Sequence, residues 1–189
     1  MGSDEERLAA LLPKLQEVVD RMEIEKCILR VSRGMDRHDT ELANSGFHPD
    51  GRDDHVLFVG PASEAIDWME TAHDTDLRGH QHYVTNMTIE IDGDEAHVES
   101  YNIMAGVGKD SWDPVVGGGR YLDRLERRDG EWKIVDRVST GEWWSLPNVM
   151  EKIVENVHPH SADRDDISYM RPLKVLRPFQ RVSRSGAHD

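Results

Sequence analysis

The chain carries one cysteine, Cys27, so no internal disulfide can staple it. That thiol sits in a helical apolar pattern with Ile24, Ile28 and Val31, where it is expected to be buried and inert. Positive charge is also in short supply: 23 Lys and Arg against 37 Asp and Glu leave a formal charge of −14. Nucleic acids and anionic membranes are polyanions that such a field repels, so neither is an expected partner, and a neutral or weakly polar small molecule suits the chain better. No run is long and apolar enough to span a bilayer. The start, Met1-Gly2-Ser3-Asp4-Glu5-Glu6, has neither the basic nor the apolar part of a signal peptide, which points to a cytoplasmic setting. Internal repeats are absent, and 189 residues suit one domain of ordinary size plus a tail rather than two enzymatic domains.

The residues present divide the chain into a helical part and a stranded part. From about Glu5 to Met35 apolar residues recur at helical spacing: Leu8, Leu11, Leu12, Leu15, Val18, Val19, Met22, then Ile24, Cys27, Ile28, Val31 and Met35. Pro13 predicts an interruption, with a short first helix or loose lead-in and a main helix from Lys14 or Met22 to Arg37. A short helix over Thr40 to Ser45 is expected next. Gly46, Pro49, Asp50, Gly51, Asp53 and Asp54 read as a turn-forming stretch before a short strand at His55 to Val59. Pro61 then opens a helix whose face is Ala65, Ile66, Met69 and Ala72, ending near Asp76.

Beyond Leu77 the period changes to two. Strands are predicted at Gly79 to Ile91, Ala96 to Gly108, Gly119 to Arg128 and Trp132 to Trp144. They are separated by the hairpin signals Asp92-Gly93-Asp94 and Arg128-Asp129-Gly130-Glu131. Helices first and consecutive hairpins after describe an α+β fold, with helices packed in the concavity of a curved, mostly antiparallel sheet. In the first long strand His80, His82 and Val84 share one parity while Met87, Ile89 and Ile91 share the other. A bulge near Thr85-Asn86 would put both sets on one face. Past Pro147, a short amphipathic stretch (Val149, Ile153, Val154) precedes a polar, irregular tail. The expected organisation is therefore a domain over 1–147 and a largely irregular C-terminal extension over 148–189.

The helix ending in Gly34-Met35-Asp36-Arg37-His38-Asp39, the strand His82-Tyr83-Val84-Thr85-Asn86 and the run from Gly119-Arg120-Tyr121 to Lys133-Ile134 resemble the SnoaL-like branch of the nuclear transport factor 2-like superfamily. The resemblance covers about Met22 to Trp144 and implies a cone-shaped α+β barrel. The superfamily includes scytalone dehydratase, bile-acid dehydratase, hexachlorocyclohexane dehydrochlorinase and ketosteroid isomerase, besides non-catalytic members and small subunits of ring-hydroxylating dioxygenases. In its dehydratases and dehydrochlorinases an aspartate at the helix end and a histidine on the following strand form the catalytic pair, which implies those roles for Asp36 and His82. Where the bile-acid dehydratase has a tyrosine one helical turn before the aspartate, this chain has Val31, so no general acid is implied there. A homo-oligomer, dimer or trimer, joined through the outer face of the sheet is also implied.

The residues make a chemical case of their own. A carboxylate accepting from one imidazole nitrogen selects the tautomer and raises the basicity of the other, which suits His82 to remove a proton and Asp36 to orient it. His80 and His82 lie two apart on one strand, a spacing that aims two imidazoles one way. With no third ligand apparent on that strand, no metal is expected and His80 is placed near the pocket mouth. Tyr101 and Asn102 must face opposite ways, so only one lines a cavity. Tyr121 shares a face with Asp123, and Arg137 is expected to reach either that acid as an ion pair or a substrate anion. Arg78 is a candidate anion contact, and Trp112, Trp143 and Trp144 suggest an aromatic rim suited to a planar ring. His158 and His160 are expected to be solvated. Gly117-Gly118-Gly119 lacks the lysine and helix of a phosphate loop and reads as a flexible loop or a close backbone approach. The expectation is a cofactor-independent lyase acting on a hydrophobic aromatic or polycyclic molecule, by dehydration or by retro-aldol loss of a small aldehyde. An isomerase, a non-catalytic ligand-binding module and a dioxygenase small subunit are the alternatives.

Overall fold

The computed structural model describes residues 3–145, 157–158 and 161–181. Helix α1 runs from Asp4 to Arg37 and is capped at both ends. Ser3 and Glu6 bond each other's backbone N–H in a capping box, three acids occupy the first turn where the helix dipole favours them, and His38 closes the far end at φ 50°. Pro13 does not divide this helix, contrary to the expectation from its ring. Residues 4–19 are all exposed, so the carbonyl that Pro13 leaves unbonded faces water rather than a core. Leu8, Leu11, Leu12, Leu15, Val18, Val19 and Met22 are consequently 46–57% exposed; burial begins with Asp20, and the apolar face is buried from Ile24 onward.

Helix α2 (Thr40–Asn44) and α3 (Ala62–Asp76) complete the helical layer. The strands are β1 (Phe47–His55), β2 (Phe58–Pro61), β3 (Leu77–Asp92), β4 (Glu95–Gly108), β5 (Pro114–Arg128), β6 (Glu131–Trp144) and β7 (Gln180–Arg181). They form one curved sheet in the order β3-β4-β5-β6-β1-β2-β7, antiparallel except for the β1–β6 pair, with the helices on its concave side. This is a cone-like α+β fold. Ile24, Ile28, Val31 and Met35 of α1 meet Ile66 and Met69 of α3 and Leu125, Trp132 and Ile134 of the sheet to form the core.

Three stretches differ from expectation: the strand expected at His55 to Val59 is divided by a turn at Val56 and Leu57, with Val56 at φ 61°, so that its ends belong to β1 and β2. Phe47 to Asp54 is strand rather than turn, because its turn residues Pro49, Asp50 and Gly51 fall within a register shift between Phe47 and Arg52 that absorbs them. Gly117-Gly118-Gly119 lies within β5, which starts at Pro114, and its glycines are close approaches rather than a loop. A Cβ on Gly117 or Gly118 would sit 2.4 Å from the ring of Trp144 or Trp143, and one on Gly119 would sit 1.7 Å from the Thr140 carbonyl oxygen. In β3, the register shifts between Thr85 and Thr88 with Asn86 at φ 44°, so His82 and the later Met87, Ile89 and Ile91 all turn to the concave side.

Residues 161–181 lie along the convex face. Ile167 and Leu173 are buried against Leu122 and Val138, Asp166 takes a two-pronged contact from Arg120, and β7 adds to the edge of β2. His158 is not solvated: its Nε2 lies 3.2 Å from the buried Asp54 carboxylate, which Arg177 also contacts at 2.8 Å. His160 and the Val149, Ile153, Val154 stretch lie outside the described residues.

Candidate active site

Between α3, the β1–β2 turn and the Gly-rich ends of β4 to β6 lies a cavity of about 410 Å³. The barrel is solid at its other end, where Leu125, Trp132 and Ile134 fill the space. At this end Gly117, Gly118 and Gly119 line the cavity, and Trp144 packs closely over Gly117. The lining is mainly apolar, from residues such as Leu57, Trp68, Met69, Met104, Val115 and Trp144. A volume of this size with a few converging polar groups is the usual form of a small-molecule site.

Its principal polar feature spans α1 and β3. The Asp36 carboxylate lies 2.7 Å from His82 Nδ1 and also accepts the His82 backbone N–H at 3.0 and 3.1 Å. The short last turn of α1 and the left-handed cap at His38 stop the helix where Asp36 faces the strand. Burial works to raise Asp36, but the hydrogen bonds from the His82 ring and backbone and the neighbouring imidazoles outweigh it, holding the carboxyl below its ordinary range. An ionised carboxylate can only accept, so the proton of the contact belongs to Nδ1. In neutral His82 the lone pair is therefore on Nε2. His82 lines the cavity and Asp36 stands behind it.

The other sequence candidates separate clearly. Asn102 and Tyr121 line the cavity. Asn102 Oδ1 is buried without a hydrogen-bond partner among the described residues. The Tyr121 phenol is pushed up by burial. Tyr101, with the opposite parity, is outward and exposed. Arg137 does not reach the cavity: it is buried in a two-pronged pair with Asp123 at 2.7 and 2.8 Å, its guanidinium 4.3 Å above the Tyr121 ring. Burial opposes its charge, but Asp123 outweighs burial and moves the guanidinium pKa further up. Arg78 is also engaged elsewhere, stacked 4.2 Å from the Trp112 ring and donating to the Lys109 carbonyl. Trp143 is displaced to the convex side by lying over Gly118, and only Trp144 joins the cavity wall. His80 is not at the mouth; its side chain is 3% exposed and packs behind His82.

His55, Ser139 and His73 are cavity residues outside the expected set. His55 lies 3.1 Å from Ser139 Oγ and 3.5 Å from the Asp53 carboxylate, and both His55 and Ser139 line the cavity. His73 lies on α3 with its ring 4.0 Å from His80. Helical spacing does place His73 on the Ala65–Met69 face, a signal the sequence contained. His55 was concealed by the turn residues before it.

The model of the SnoaL-like domain matches residues 16–138. Solved structures share the fold. A candidate scytalone dehydratase from Novosphingobium aromaticivorans is 20% identical with TM-score 0.62, over 78% of this chain and 93% of that one. A type 3 hexachlorocyclohexane dehydrochlorinase from Novosphingobium barchaimii is 18% identical with TM-score 0.64, over 70% and 92%. A candidate aromatic ring hydroxylase from Novosphingobium aromaticivorans is 24% identical with TM-score 0.60, over 68% and 93%. No curated protein matches the chain in sequence.

Proposed function

The chain belongs to the SnoaL-like domain family, and from that premise we propose that it is a lyase in which His82 is the general base and Asp36 its orienting partner. The observation that carries this reading is the 2.7 Å contact between Asp36 and the Nδ1 of a histidine that lines an apolar cavity. In an elimination Nε2 takes a proton from a substrate carbon, the C–H electron pair forms the new double bond, and the group on the neighbouring carbon departs as halide, or as water once the imidazolium has given it a proton. In a retro-aldol cleavage Nε2 instead takes the hydroxyl proton, the carbonyl of the departing aldehyde forms as the C–C bond breaks, and that electron pair is protonated on the remaining fragment. Asp36 stabilises the imidazolium that results.

The substrate class is an aromatic or polycyclic hydrophobe, supported by Trp68, Met104 and Trp144 in the wall and by the volume of the cavity. Asn102 offers its buried oxygen, and Tyr121 its phenol, as contacts for a substrate hydroxyl or carbonyl. His55 is a second titratable group in the wall, placed by Ser139 to serve the leaving group. Arg137, committed to Asp123, takes no direct part. Association of copies through the convex sheet face belongs to the same proposal, supported by Tyr83, Tyr101, Ile103 and Trp143, which are 37–49% exposed there.

The test is elimination from a panel of hydroxylated or halogenated ring compounds by the purified chain and by His82→Ala. Turnover is expected to fall by about a hundredfold or more in the variant while its circular dichroism is preserved. Equal turnover by both proteins would reduce His82 to a packing residue.

A further inference from the structure

Behind the cavity wall three electron-pair donors converge. His82 Nδ1 is 2.7 Å from Asp36 Oδ1, and His80 Nε2 is 3.9 Å from that same oxygen. One atom from each residue forms a trio lying within 4.8 Å of one another. The His80 side chain is 3% exposed, and its Nε2 has no hydrogen-bond partner among the described residues. A buried imidazole lone pair directed at a carboxylate oxygen is an arrangement that a shared cation relieves.

We propose that Asp36, His80 and His82 form a binding site for a divalent transition ion of the zinc class. Two imidazoles and a carboxylate are a donor set such ions accept, at about 2.0–2.2 Å per bond. Ligands of a tetrahedral ion at that bond length stand roughly 3.3 Å apart. The 3.9 Å pair needs only a small contraction and the 2.7 Å pair a small widening. The two histidines share the concave face of β3, and the carboxylate arrives from the end of α1, so the set exists only once the helix has docked on the strand. Three protein ligands leave a fourth position for a water molecule.

The site would act on the proposed chemistry as a brake, a consequence that rests on the lyase reading although the binding does not. Nδ1 of His82 holds either the proton shared with Asp36 or the ion. When the ion occupies Nδ1, the ring proton resides on Nε2, and the lone pair that would take a substrate proton is gone.

The experiment is titration of the metal-free full chain with Co²⁺ alone, followed by visible absorption. One equivalent is expected to produce the d–d bands of a protein-ligated ion, and Zn²⁺ to abolish them by displacement. His80→Gln is expected to weaken binding at least tenfold. His158→Gln, which removes a histidine lying on Asp54, is expected to leave binding unchanged. If His80→Gln fails to fold, nitrogen-15 spectra of the unmutated chain with Zn²⁺ must show the Nε2 resonance of His80 and the Nδ1 resonance of His82 shifting together. Absence of stoichiometric bands, equal affinity in folded His80→Gln, or loss of binding in His158→Gln overturns the proposal. No substrate is present in the titration, so its failure leaves the lyase reading standing, and a failure of His82→Ala to affect turnover leaves the bands standing.

Discussion

Asp36 grips His82 at two points, ring Nδ1 at 2.7 Å and backbone N–H at 3.0 Å, so the carboxylate sets both the orientation of the imidazole and the position of the strand that carries it. The backbone contact ties the site to the fold. It also distinguishes a change of charge from a change of shape.

Asp36→Asn preserves the shape but loses the charge and presents an amide N–H₂ where an acceptor is needed. Turnover is expected to fall by about tenfold to a hundredfold with KM changed far less, because the lost interaction strengthens as the imidazolium forms. Steady-state kinetics on an active substrate check this split. A rise in KM at constant turnover would assign Asp36 to binding instead.

Acid is expected to destabilise the protein through Asp36 and Asp166. Burial acts to raise both carboxyls, but His82 outweighs it at Asp36, while Arg120 and the backbone N–H groups of Ser161 and Ser168 outweigh it strongly at Asp166. Their folded pKa values therefore lie below the unfolded value of about 3.9. Their stabilisation is fully present above the unfolded pKa and is lost as pH falls through the folded values. Melting temperature should accordingly change little on their account between pH 7 and about pH 5 and decline below about pH 4. Asp166→Asn should flatten that decline in a thermal melt series.

Removing Arg137 alone leaves Asp123 buried and unpaired. Arg137→Ala is expected to cost about 3–5 kcal/mol in urea unfolding. The double variant Arg137→Met with Asp123→Leu should recover most of the loss, because no stranded charge remains. A neutral single variant would show that the pair contributes nothing to the core.

The glycines of β5 should respond differently from one another. Gly119→Ala drives a Cβ toward the Thr140 backbone, which has nowhere to go, and is expected to destabilise by about 1–3 kcal/mol or more. Gly117→Ala meets the Trp144 ring instead, and displacing that ring reshapes the cavity wall. Its expected signature is a change in KM larger than the change in melting temperature.

The C-terminal segment should be separable from the barrel. Leu173→Ala empties a buried contact with Leu122 and Val138, with a local cost of about 2–5 kcal/mol. Limited proteolysis is expected to cut between residues 161 and 181 faster in this variant, with the rest of the chain intact. Cleavage rates equal to the parent's would mean that the polar contacts of the segment, Arg120–Asp166 and Arg177–Asp54 among them, hold it without the apolar one.

Much of the architecture was legible because it rests on local physics. The change from helical to twofold period at Leu77, the Asp-Gly turns and the parity conflict that demands a bulge at Thr85-Asn86 need only neighbouring residues to be read. The strand from Phe47 to His55 escaped because Pro49, Asp50 and Gly51 are turn formers by composition, whereas a register shift against β6 absorbs them. Pro13 misled in the opposite sense: its cost depends on whether its surroundings are packed, and there they are not.

The sequence by itself determined the succession of the main helices and the four long strands, the face that the first helix buries from Ile24 onward and the residue types able to exchange a proton, since periodicity and side-chain chemistry are properties of short segments. Only the tertiary structure decided which polar groups meet. It set Asp36 against His82, withdrew Arg137 to Asp123, buried His80 beside the carboxylate and brought His55 to the cavity. Electrostatic partnership depends on distances of a few ångströms between groups remote along the chain, and those distances exist only after the helix has packed on the sheet.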